Sequence, residues 1–255
     1  MTAVTAVDHA CAAKLATEAG RILLELRASG LPPDELKAQG DRRSHEFLLR
    51  ELASRYPDDA VLSEEGADDP ARLGVSRVWI VDPLDGTREY SEVPRRDWAV
   101  HVALVVAGEL AAGAVALPAQ ATTLSTSEPP GPPPHHRGRR RLLVSRTRPT
   151  AHAQALGRAL DAELVPMGSA GAKVAAVITG QADVYAHSGG QYEWDSAAPV
   201  AVAAAVGLHT SRFDGSPLRY NQPDPWLPDL LVCRPELADA VLAAIKESAL
   251  GDATP

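Results

Sequence analysis

A chain of 255 residues with 45% hydrophobic residues is long enough for one large domain or two closely packed subdomains around a sizeable core. Its formal net charge of −8 argues against a general binder of nucleic acid or of membrane surfaces, because phosphate groups attract basic faces. A small phosphorylated substrate remains compatible with this charge, because bound cations can reverse the local electric field.

The cysteines and the first residues bear on the cellular compartment. Cys11 and Cys233 are far apart and form no CxxC pattern, so we expect two idle thiols rather than a disulfide framework or a structural zinc site. Residues 1–20 follow the pattern of an amphipathic helix rather than that of a signal peptide. No apolar run approaches the roughly 20 residues that span a bilayer. We therefore expect a reducing cytoplasm and no membrane partner.

Helix and strand patterns alternate in the first half of the chain. Apolar residues at helical spacing predict helices over 5–27 and 44–55, and short apolar runs predict strands over 60–62, 78–81, 98–106 and 110–117. Residues 31–40, which contain Pro32 and Pro33, and the polar residues 68–75 are predicted to be loops. The run at 78–81 is the clearest buried strand.

A segment rich in proline and arginine separates this half from the next. Several prolines precede His135, His136 and a run of arginines, and such a composition cannot form an element of the core. The histidine pair could bind a metal and the arginines could meet a substrate phosphate, but we interpret the segment as an exposed loop or hinge. The predicted organisation is an N-terminal α+β subdomain over 1–126, this loop over 127–141, and a C-terminal α/β subdomain over 142–255.

The second half resumes the alternation. Strands are predicted over 141–144, 163–165, 182–186 and 230–232, and helices over 150–160, 170–179, 197–206 and 235–250. Gly180 and Gly207 follow two of these helices, where a C-terminal glycine can adopt positive φ. Strands and helices therefore interleave along the whole chain, without an internal repeat.

The clearest strand runs into the sequence DPLDGT. Asp82 and Asp85 lie three residues apart across a turn stiffened by proline, so both carboxylates can converge on one side. The Leu84 carbonyl can point to the same place, and the amides of Gly86 and Thr87 can receive phosphate oxygens. Repulsion between close carboxylates favours a divalent cation, and oxygen ligands favour Mg²⁺ with Mn²⁺ as a substitute. Alone, this motif is also compatible with a helix-capping aspartate in an ordinary turn.

Two further acids strengthen the metal hypothesis. Glu64 follows the strand at 60–62, and Asp195 lies in the sequence EWDSAA at the start of a helix. Asp195 alone would be compatible with an N-cap or first-turn acid. A purely solvated acidic face would not be expected directly after apolar strands, so the acids together predict a site for two or three metal ions.

Several segments resemble a known family. SEEG at 63–66, WIVDPLDGTREY at 79–90 and WDSAA at 194–198 are similar, in order and spacing, to the inositol monophosphatase superfamily of lithium-sensitive, Mg²⁺-dependent phosphatases. VSR at 144–146 and GSAGAK at 168–173 resemble its CysQ-type branch, the 3′(2′),5′-bisphosphate nucleotidases, and its actinobacterial members most. The resemblance implies an α/β sugar-phosphatase fold, a layered sandwich of alternating helices and sheets, and commonly a homodimer.

The resemblance also implies the chemistry and its residues. It implies a phosphomonoesterase that removes the 3′-phosphate of 3′-phosphoadenosine 5′-phosphate, a by-product of sulfate assimilation, to give AMP. The implied catalytic residues are Asp41, Thr87 and Glu64, of which the first two would orient and deprotonate the attacking water. The implied substrate contacts are Leu84, Asp85, Gly86, Thr87, Arg146, Ser169, Lys173 and Asp195. Arg146, Ser169 and Lys173 could equally be surface charges or helix caps.

By the same resemblance, the metal ligands divide between two ions. Glu64, Asp82 and the Leu84 carbonyl would hold the first ion, and Asp82, Asp85 and Asp195 the second. A third, weaker ion would use Glu64. No covalent nucleophile is needed for this chemistry.

Two departures from the family pattern stand out. Pro199 occupies a position where the family usually has glycine, and we expect it in the first turn of a helix, where proline is tolerated. The N-terminal motif of the family is shortened to residues 37–41. We align Asp41 with the catalytic aspartate of the family, supported by His45 four residues further on.

Other functions remain open at this point. Inositol monophosphatase or fructose-1,6-bisphosphatase activity, as main or side activity, would use the same metal core. An inactive metal- or nucleotide-binding regulator would be expected to have lost Glu64, Asp85, Thr87 or Asp195, and all four are present. The expected partner is a small phosphorylated molecule and not a nucleic acid.

Overall fold

The computed structural model describes residues 4–134, 138–147 and 149–251, so His135 and His136 lie outside the described residues. Its helices are α1 (Ala6–Arg27), α2 (Pro33–Arg55), α3 (Thr87–Ser91), α4 (Ala151–Ala159), α5 (Ala170–Ile178), α6 (Glu193–Ala205) and α7 (Ala238–Gly251). Its strands are β1 (Ala60–Ser63), β2 (Arg77–Asp85), β3 (Ala99–Val106), β4 (Glu109–Leu117), β5 (Thr122–Ser125), β6 (Arg140–Ser145), β7 (Ala162–Met167), β8 (Val184–Tyr192), β9 (His209–Ser211) and β10 (Trp226–Cys233). Among these helices, none combines the length and apolar character needed to cross a membrane.

The strands of the described residues form two sheets of five strands each. The first has the order β1-β2-β3-β4-β5, in which β1 and β2 are parallel and the other neighbours are antiparallel. The second has the order β7-β6-β8-β10-β9, in which β6 runs parallel to both β7 and β8, and β10 runs antiparallel to β8 and β9. The first sheet therefore uses strands that precede the proline-rich segment, and the second uses strands that follow it. The assignment of subdomains to these halves stays a prediction.

Helices and sheets alternate in five layers. Helices α1 and α2 cover the outer face of the first sheet, α5 and α6 lie between the two sheets, and α4 and α7 cover the outer face of the second. Each layer is joined to the next by small aliphatic side chains; Leu15 and Leu104, Ile80 and Val202, and Leu156 and Val241 belong to the three successive clusters. The layered sandwich implied by the sequence is confirmed.

Strand β2 is buried on both faces, as its apolar sequence predicts. Trp79 and Val81 belong to the cluster beneath α1 and α2, whereas Val78 and Ile80 belong to the cluster around α5 and α6. Side chains alternate between the faces of a strand, so a continuous apolar run can be buried on both sides. This strand leads directly into the acidic turn and places that turn at the end of the α5–α6 layer.

The predicted loop over 31–40 is wrong. Helix α2 already begins at Pro33 and continues to Arg55. Proline is well tolerated at the first helical position, because the N–H group that it lacks would have no helical partner there. The prolines therefore start this helix instead of preventing it, and Asp41 lies inside it. Strands β5 and β9 and helix α3 are short elements that the periodicity did not predict.

The expectation for Pro199 is also wrong. Helix α6 begins at Glu193 instead of residue 197, so Pro199 lies inside the helix and beyond its first turn. A proline at this position has no N–H group to donate to the carbonyl four residues earlier, which belongs to Asp195. The carbonyl of Asp195 therefore lacks its ordinary helical N–H partner. This carbonyl belongs to the turn that carries the predicted metal ligand.

Candidate metal centre and substrate cavity

The acidic turn is built around a bulge at the end of β2. Asp82 lies opposite His101 of β3 and Asp85 lies opposite Ala99, so β2 has one extra residue between these pairs. The Leu84 N–H group donates to Oδ1 of Asp82 over 3.0 Å. The extra residue lets both aspartates of the turn be buried at the same end of the sheet.

Asp195 completes a group of three carboxylates. It lies in the first turn of α6, and the N–H group of Tyr192 donates to its Oδ2 atom over 2.7 Å. One oxygen from each of Asp82, Asp85 and Asp195 lies within 4.8 Å of the others. Three acids so close repel one another in a buried site. An oxygen-lined group of this kind can hold a divalent cation.

Burial and charge shift the three acids differently. Burial, together with the charges of Glu64 and Asp85, raises the pKa of Asp82 well above its ordinary value. Burial and the charge of Asp85 raise the pKa of Asp195 to about 6. Burial also acts to raise the pKa of Asp85, but the contacts from His101, Ser169 and Gly171 outweigh it and the pKa is lowered. Asp85 is therefore the carboxylate that the protein itself stabilises in its ionised form.

His101 is the largest contributor to that stabilisation, and the N-terminus of α5 adds hydrogen bonds. The Ser169 hydroxyl donates to Oδ2 of Asp85 over 2.5 Å and the Gly171 N–H group donates to the same oxygen over 2.6 Å. The Ala170 N–H group donates to Oδ1 over 3.1 Å. Oδ1 accepts fewer of these bonds than Oδ2, which leaves it the better placed oxygen for a cation.

His101 is a residue of this site that the sequence analysis missed. Its side chain is fully buried, with Nε2 at 3.2 Å from Oδ2 of Asp85 and Nδ1 at 3.0 Å from the carbonyl oxygen of Trp194. The imidazole thus connects the acidic turn of β2 with the first turn of α6. A histidine inside an otherwise apolar strand was the pattern that could have indicated it.

Glu64 stands apart from the group of three. It lies in the same cavity as Asp85 and Asp195, at a more exposed position after β1. Partial loss of water contact and the charge of Asp195 raise the pKa of Glu64 to about 7, although a hydrogen bond with Asp82 acts to lower it. The structure therefore brings Glu64 to the edge of the metal centre, not into its tight core.

Leu84, Thr87 and Asp41 meet beside the acids. The Thr87 hydroxyl lies 3.1 Å from the Leu84 carbonyl oxygen and 3.4 Å from Oδ1 of Asp41, and it can donate its one hydrogen to either. Burial and the charge of Glu65 raise the pKa of Asp41 to about 7, despite the hydrogen bond from Thr87. The predicted pair of a hydroxyl and a carboxylate is thus present. Thr87 comes from the start of α3 and Asp41 from α2.

Gly86 is required by its backbone. Its φ of 84° lies in the left-handed region, and a Cβ atom there would be 3.0 Å from Cβ of Ser169 and 3.3 Å from the carbonyl oxygen of Asp97. Any larger residue would push the acidic turn away from the N-terminus of α5. The glycine therefore permits the contact between Ser169 and Asp85.

The three predicted phosphate contacts have different surroundings. Ser169 caps α5 by accepting from the Ala172 N–H group, in addition to its contact with Asp85. Lys173 is buried, with Nζ at 3.5 Å from the Met167 carbonyl oxygen and 5.2 Å from the ring centre of Tyr185. Burial lowers the pKa of this lysine, although nearby carboxylates oppose the shift.

Arg146 is already paired. Its Nη2 atom lies 2.8 Å from Oε1 of Glu89 and 2.9 Å from Oε2 of Glu92, so two carboxylates neutralise its guanidinium. Arg146 is therefore not free to bind phosphate in this structure. Lys173 is the better placed cation for a phosphate.

Two adjoining cavities surround these residues. One, of about 560 Å³, extends from Thr87 and Glu89 to Arg146 and Ser188. The other, of about 510 Å³, contains Glu64, Asp85 and Asp195. Both are lined by Ser169, Lys173, Tyr185, His187 and Gly189. A phosphate at the carboxylates would therefore face space on two sides, enough for an organic group larger than phosphate.

Comparisons with known proteins identify relatives of this chain. The model of the inositol monophosphatase family matches residues 2–249. A 3′-phosphoadenosine 5′-phosphate phosphatase of Mycobacterium leprae is 48% identical over 254 residues, which cover 94% of each chain. The 3′(2′),5′-bisphosphate nucleotidase CysQ of Escherichia coli K12 is 30% identical over 242 residues, covering 87% of this chain and 96% of that protein. The crystal structure of CysQ from Bacteroides thetaiotaomicron superposes with a TM-score of 0.75 at 28% identity, covering 89% and 97% of the two chains.

Proposed function

Because this chain belongs to the inositol monophosphatase family, we propose that it hydrolyses the 3′-phosphate of 3′-phosphoadenosine 5′-phosphate to give AMP and inorganic phosphate. The observation that carries the proposal is the group formed by Asp82, Asp85 and Asp195, of which Asp85 and Asp195 line one of two adjoining cavities. The similarity to the mycobacterial phosphatase supports the nucleotide as substrate. The proposed role is removal of this nucleotide by-product of sulfate assimilation.

We propose Mg²⁺ as the cofactor, in two or three copies, with Mn²⁺ as a substitute. Glu64, Asp82 and the Leu84 carbonyl would hold one ion, and Asp82, Asp85 and Asp195 another; a third, weaker ion would use Glu64. The donor set fits, because every proposed ligand atom is an oxygen and because the carboxylates repel one another without a cation. Bound Mg²⁺ supplies neutralisation of phosphate charge and a lowered pKa for the attacking water.

The protein's own groups would orient the attack. In the proposed reaction the Thr87 hydroxyl takes a proton from the attacking water while its own proton passes to Asp41, to which it already lies close. The pKa of Asp41, about 7, is suited to accepting a proton near neutral pH. Phosphoryl transfer depends mainly on positioning and electrostatic stabilisation, so this pair has to align the water with the phosphorus–oxygen bond.

The substrate would be held from both cavities. We propose that Lys173 provides the positive charge nearest the reacting phosphate, while the amides of Gly86 and Thr87 and the Ser169 hydroxyl border the same position. The larger cavity beyond Thr87 would take the ribose and the 5′-phosphate of the nucleotide. Arg146 would contribute by holding Glu89 and Glu92 at the cavity wall, and less by contacting phosphate itself.

A panel of substrates tests the proposal. The purified protein should hydrolyse 3′-phosphoadenosine 5′-phosphate in Mg²⁺ with a higher kcat/KM than inositol 1-phosphate or fructose 1,6-bisphosphate. Millimolar Li⁺ should inhibit all of these activities, because they would share one metal centre. A preference for inositol or fructose phosphate would replace the proposed function by one of those activities. Absence of turnover on all three substrates would favour an inactive binding protein.

The assembly state is a separate proposal. Relatives implied by the sequence are commonly homodimers, and we propose a homodimer for this chain as well. Light scattering on the purified protein would distinguish a dimer from a monomer of 26.9 kDa.

A further inference from the structure

Gln191 has an unusual environment for a buried amide. Its side chain is only 7% exposed, yet neither Nε2 nor Oε1 has a hydrogen-bond partner within residues 4–134, 138–147 and 149–251. Buried polar atoms are normally paired, because burying a donor or an acceptor without a partner costs free energy. An amide with both groups unpaired is therefore a candidate for pairing with a ligand.

The position of Gln191 connects it with the metal centre. It lies on β8 opposite Leu227 of β10, and it lines the cavity that contains Asp85 and Asp195. Tyr185 and His187 of the same strand line this cavity as well. The residue that carries the unpaired amide thus belongs to the wall of the cavity that the reacting phosphate would enter.

Aromatic side chains form the outer edge of the same cavity. Tyr192 and Trp226 are partners across β8 and β10, and each is 46% exposed. Tyr192 stacks on Trp194 with ring centres 4.7 Å apart and planes inclined by 11°. A Cβ atom on Gly190 would lie 2.5 Å from Nε1 of Trp226, so the glycine lets the indole lie against the strand. Large aromatic surfaces exposed at a cavity mouth are suited to a flat ligand.

We infer that Gln191, Tyr192 and Trp226 form a subsite for the nucleobase of the substrate. The inference deepens the proposed function and rests on it. A glutamine amide presents a donor beside an acceptor, which matches the paired donor and acceptor on the edge of adenine, and aromatic side chains stack on its faces. The hydroxyl groups of an inositol or a fructose offer no flat face to Tyr192 and Trp226. The subsite would therefore favour nucleotides over sugar phosphates.

The substitution Gln191→Met tests the amide, because methionine keeps the length of the side chain and removes its donor and acceptor. Gln181→Met is the matched control, since Gln181 is exposed and does not line either cavity. For each protein, kcat/KM is measured with 3′-phosphoadenosine 5′-phosphate and with inositol 1-phosphate. Affinities for AMP and for inorganic phosphate are measured by calorimetry in Mg²⁺, and the melting temperature is recorded.

Gln191→Met is expected to lower kcat/KM for the nucleotide about tenfold more than kcat/KM for inositol phosphate, mainly through KM. AMP affinity should fall by a similar factor relative to phosphate affinity. The melting temperature should stay constant or rise, because an unpaired amide is removed. Trp226→Leu should shift the substrate ratio in the same direction, and Gln181→Met should leave it unchanged.

Two results would overturn the subsite. One is an unchanged substrate ratio together with unchanged relative affinity for AMP. The other is a lower melting temperature with equal loss on all substrates, which would make Gln191 structural. If the wild-type protein hydrolyses the nucleotide, either result leaves the proposed function unchanged. A wild-type protein that does not hydrolyse the nucleotide would refute the proposed function, and the nucleobase subsite with it.

Discussion

Nε2 of His101 lies 3.2 Å from Oδ2 of Asp85, and both side chains are buried. The other nitrogen of the same ring lies 3.0 Å from the carbonyl oxygen of Trp194, the residue before Asp195. One side chain of β3 thus fixes the separation between two segments that carry proposed metal ligands. Groups that orient a metal ligand commonly influence metal affinity as strongly as activity.

The first prediction concerns this imidazole. His101→Asn should weaken Mg²⁺ activation and lower kcat/KM by about 10- to 100-fold, because Asp85 loses one of the groups that orient it. Calorimetric titration with Mn²⁺ measures the metal affinity independently of turnover. His209→Asn is the control, since the ring of that histidine contacts Ser211 at the far edge of the second sheet. Unchanged metal affinity in the His101 variant would contradict a positioning role.

Gly171 and His101 are in such close contact that a second prediction follows. A Cβ atom on Gly171 would overlap Nε2 of His101, so Gly171→Ala should displace either the ring or the start of α5. Activity and melting temperature should both fall. The double variant Gly171→Ala, His101→Ala should regain part of the lost stability, because the obstructing ring is gone. Gly74→Ala, with open space around the added methyl, serves as the control. Strictly additive losses would contradict the proposed clash.

Asp85 is the carboxylate for which loss should be most severe. Asp85→Ala should lower kcat/KM by more than about a hundredfold, because losing a direct ligand costs more than losing a residue that only orients one. Circular dichroism should still show a folded protein. Asp239→Asn, an exposed acid of α7, should retain full activity. Near-normal turnover of 3′-phosphoadenosine 5′-phosphate by the Asp85 variant would refute the assigned metal centre.

Without metal, the acids of the centre should make the folded protein less stable as pH rises. Acidic side chains with a lowered pKa have the opposite effect. The pKa values of Asp195 and Glu64 are raised to about 6 and about 7, and the pKa of Asp82 is also raised well above its ordinary value. A raised folded pKa means that the folded state binds more protons, so stability is lost as pH rises from about 4 through 7. The melting temperature in EDTA should fall by on the order of 3 °C between pH 5 and 7.5.

Two controls accompany this measurement. Asp82→Asn should flatten the pH dependence, and Mg²⁺ should raise the melting temperature most at the higher pH, because the cation binds ionised carboxylates.

Asp8 does not interfere with this measurement. Burial acts to raise its pKa, but hydrogen bonds from Arg77 and Thr5 outweigh this and the pKa is lowered. Its contribution is therefore already complete above about pH 5. A melting temperature that rises over the same range in EDTA would contradict the assignment.

Lys173 and Arg146 provide a direct contrast between two cations of one cavity. Lys173→Met should lower kcat/KM by about 10- to 100-fold, because its ammonium group, held by a 3.5 Å contact to the Met167 carbonyl oxygen and by the ring of Tyr185, can still act on phosphate. Arg146→Met should have a smaller effect on KM and a larger effect on stability, because it releases Glu89 and Glu92. Steady-state kinetics and thermal melts on both variants would decide. Equal losses of activity would contradict the contrast.

The amino-acid sequence by itself determined the alternation of helices and strands and the acids of the turn, and its resemblance to a family implied the layered arrangement. Strand β2 needs only its own apolar run to be recognised as buried, and Asp82 and Asp85 follow it within three residues. An apolar run of this kind predicts a strand correctly because its side chains are buried in the folded chain. The same reasoning failed at Pro33, since a proline can begin a helix as well as prevent one.

The tertiary structure alone decided which side chains meet. His101 reaches Asp85 because the bulge in β2 sets their register, and Arg146 is neutralised by Glu89 from a distant part of the chain. The amide of Gln191 has no feature in the sequence that marks it as unpaired. Contacts between residues far apart in the chain depend on register, burial and competition between partners, which local composition and periodicity do not contain.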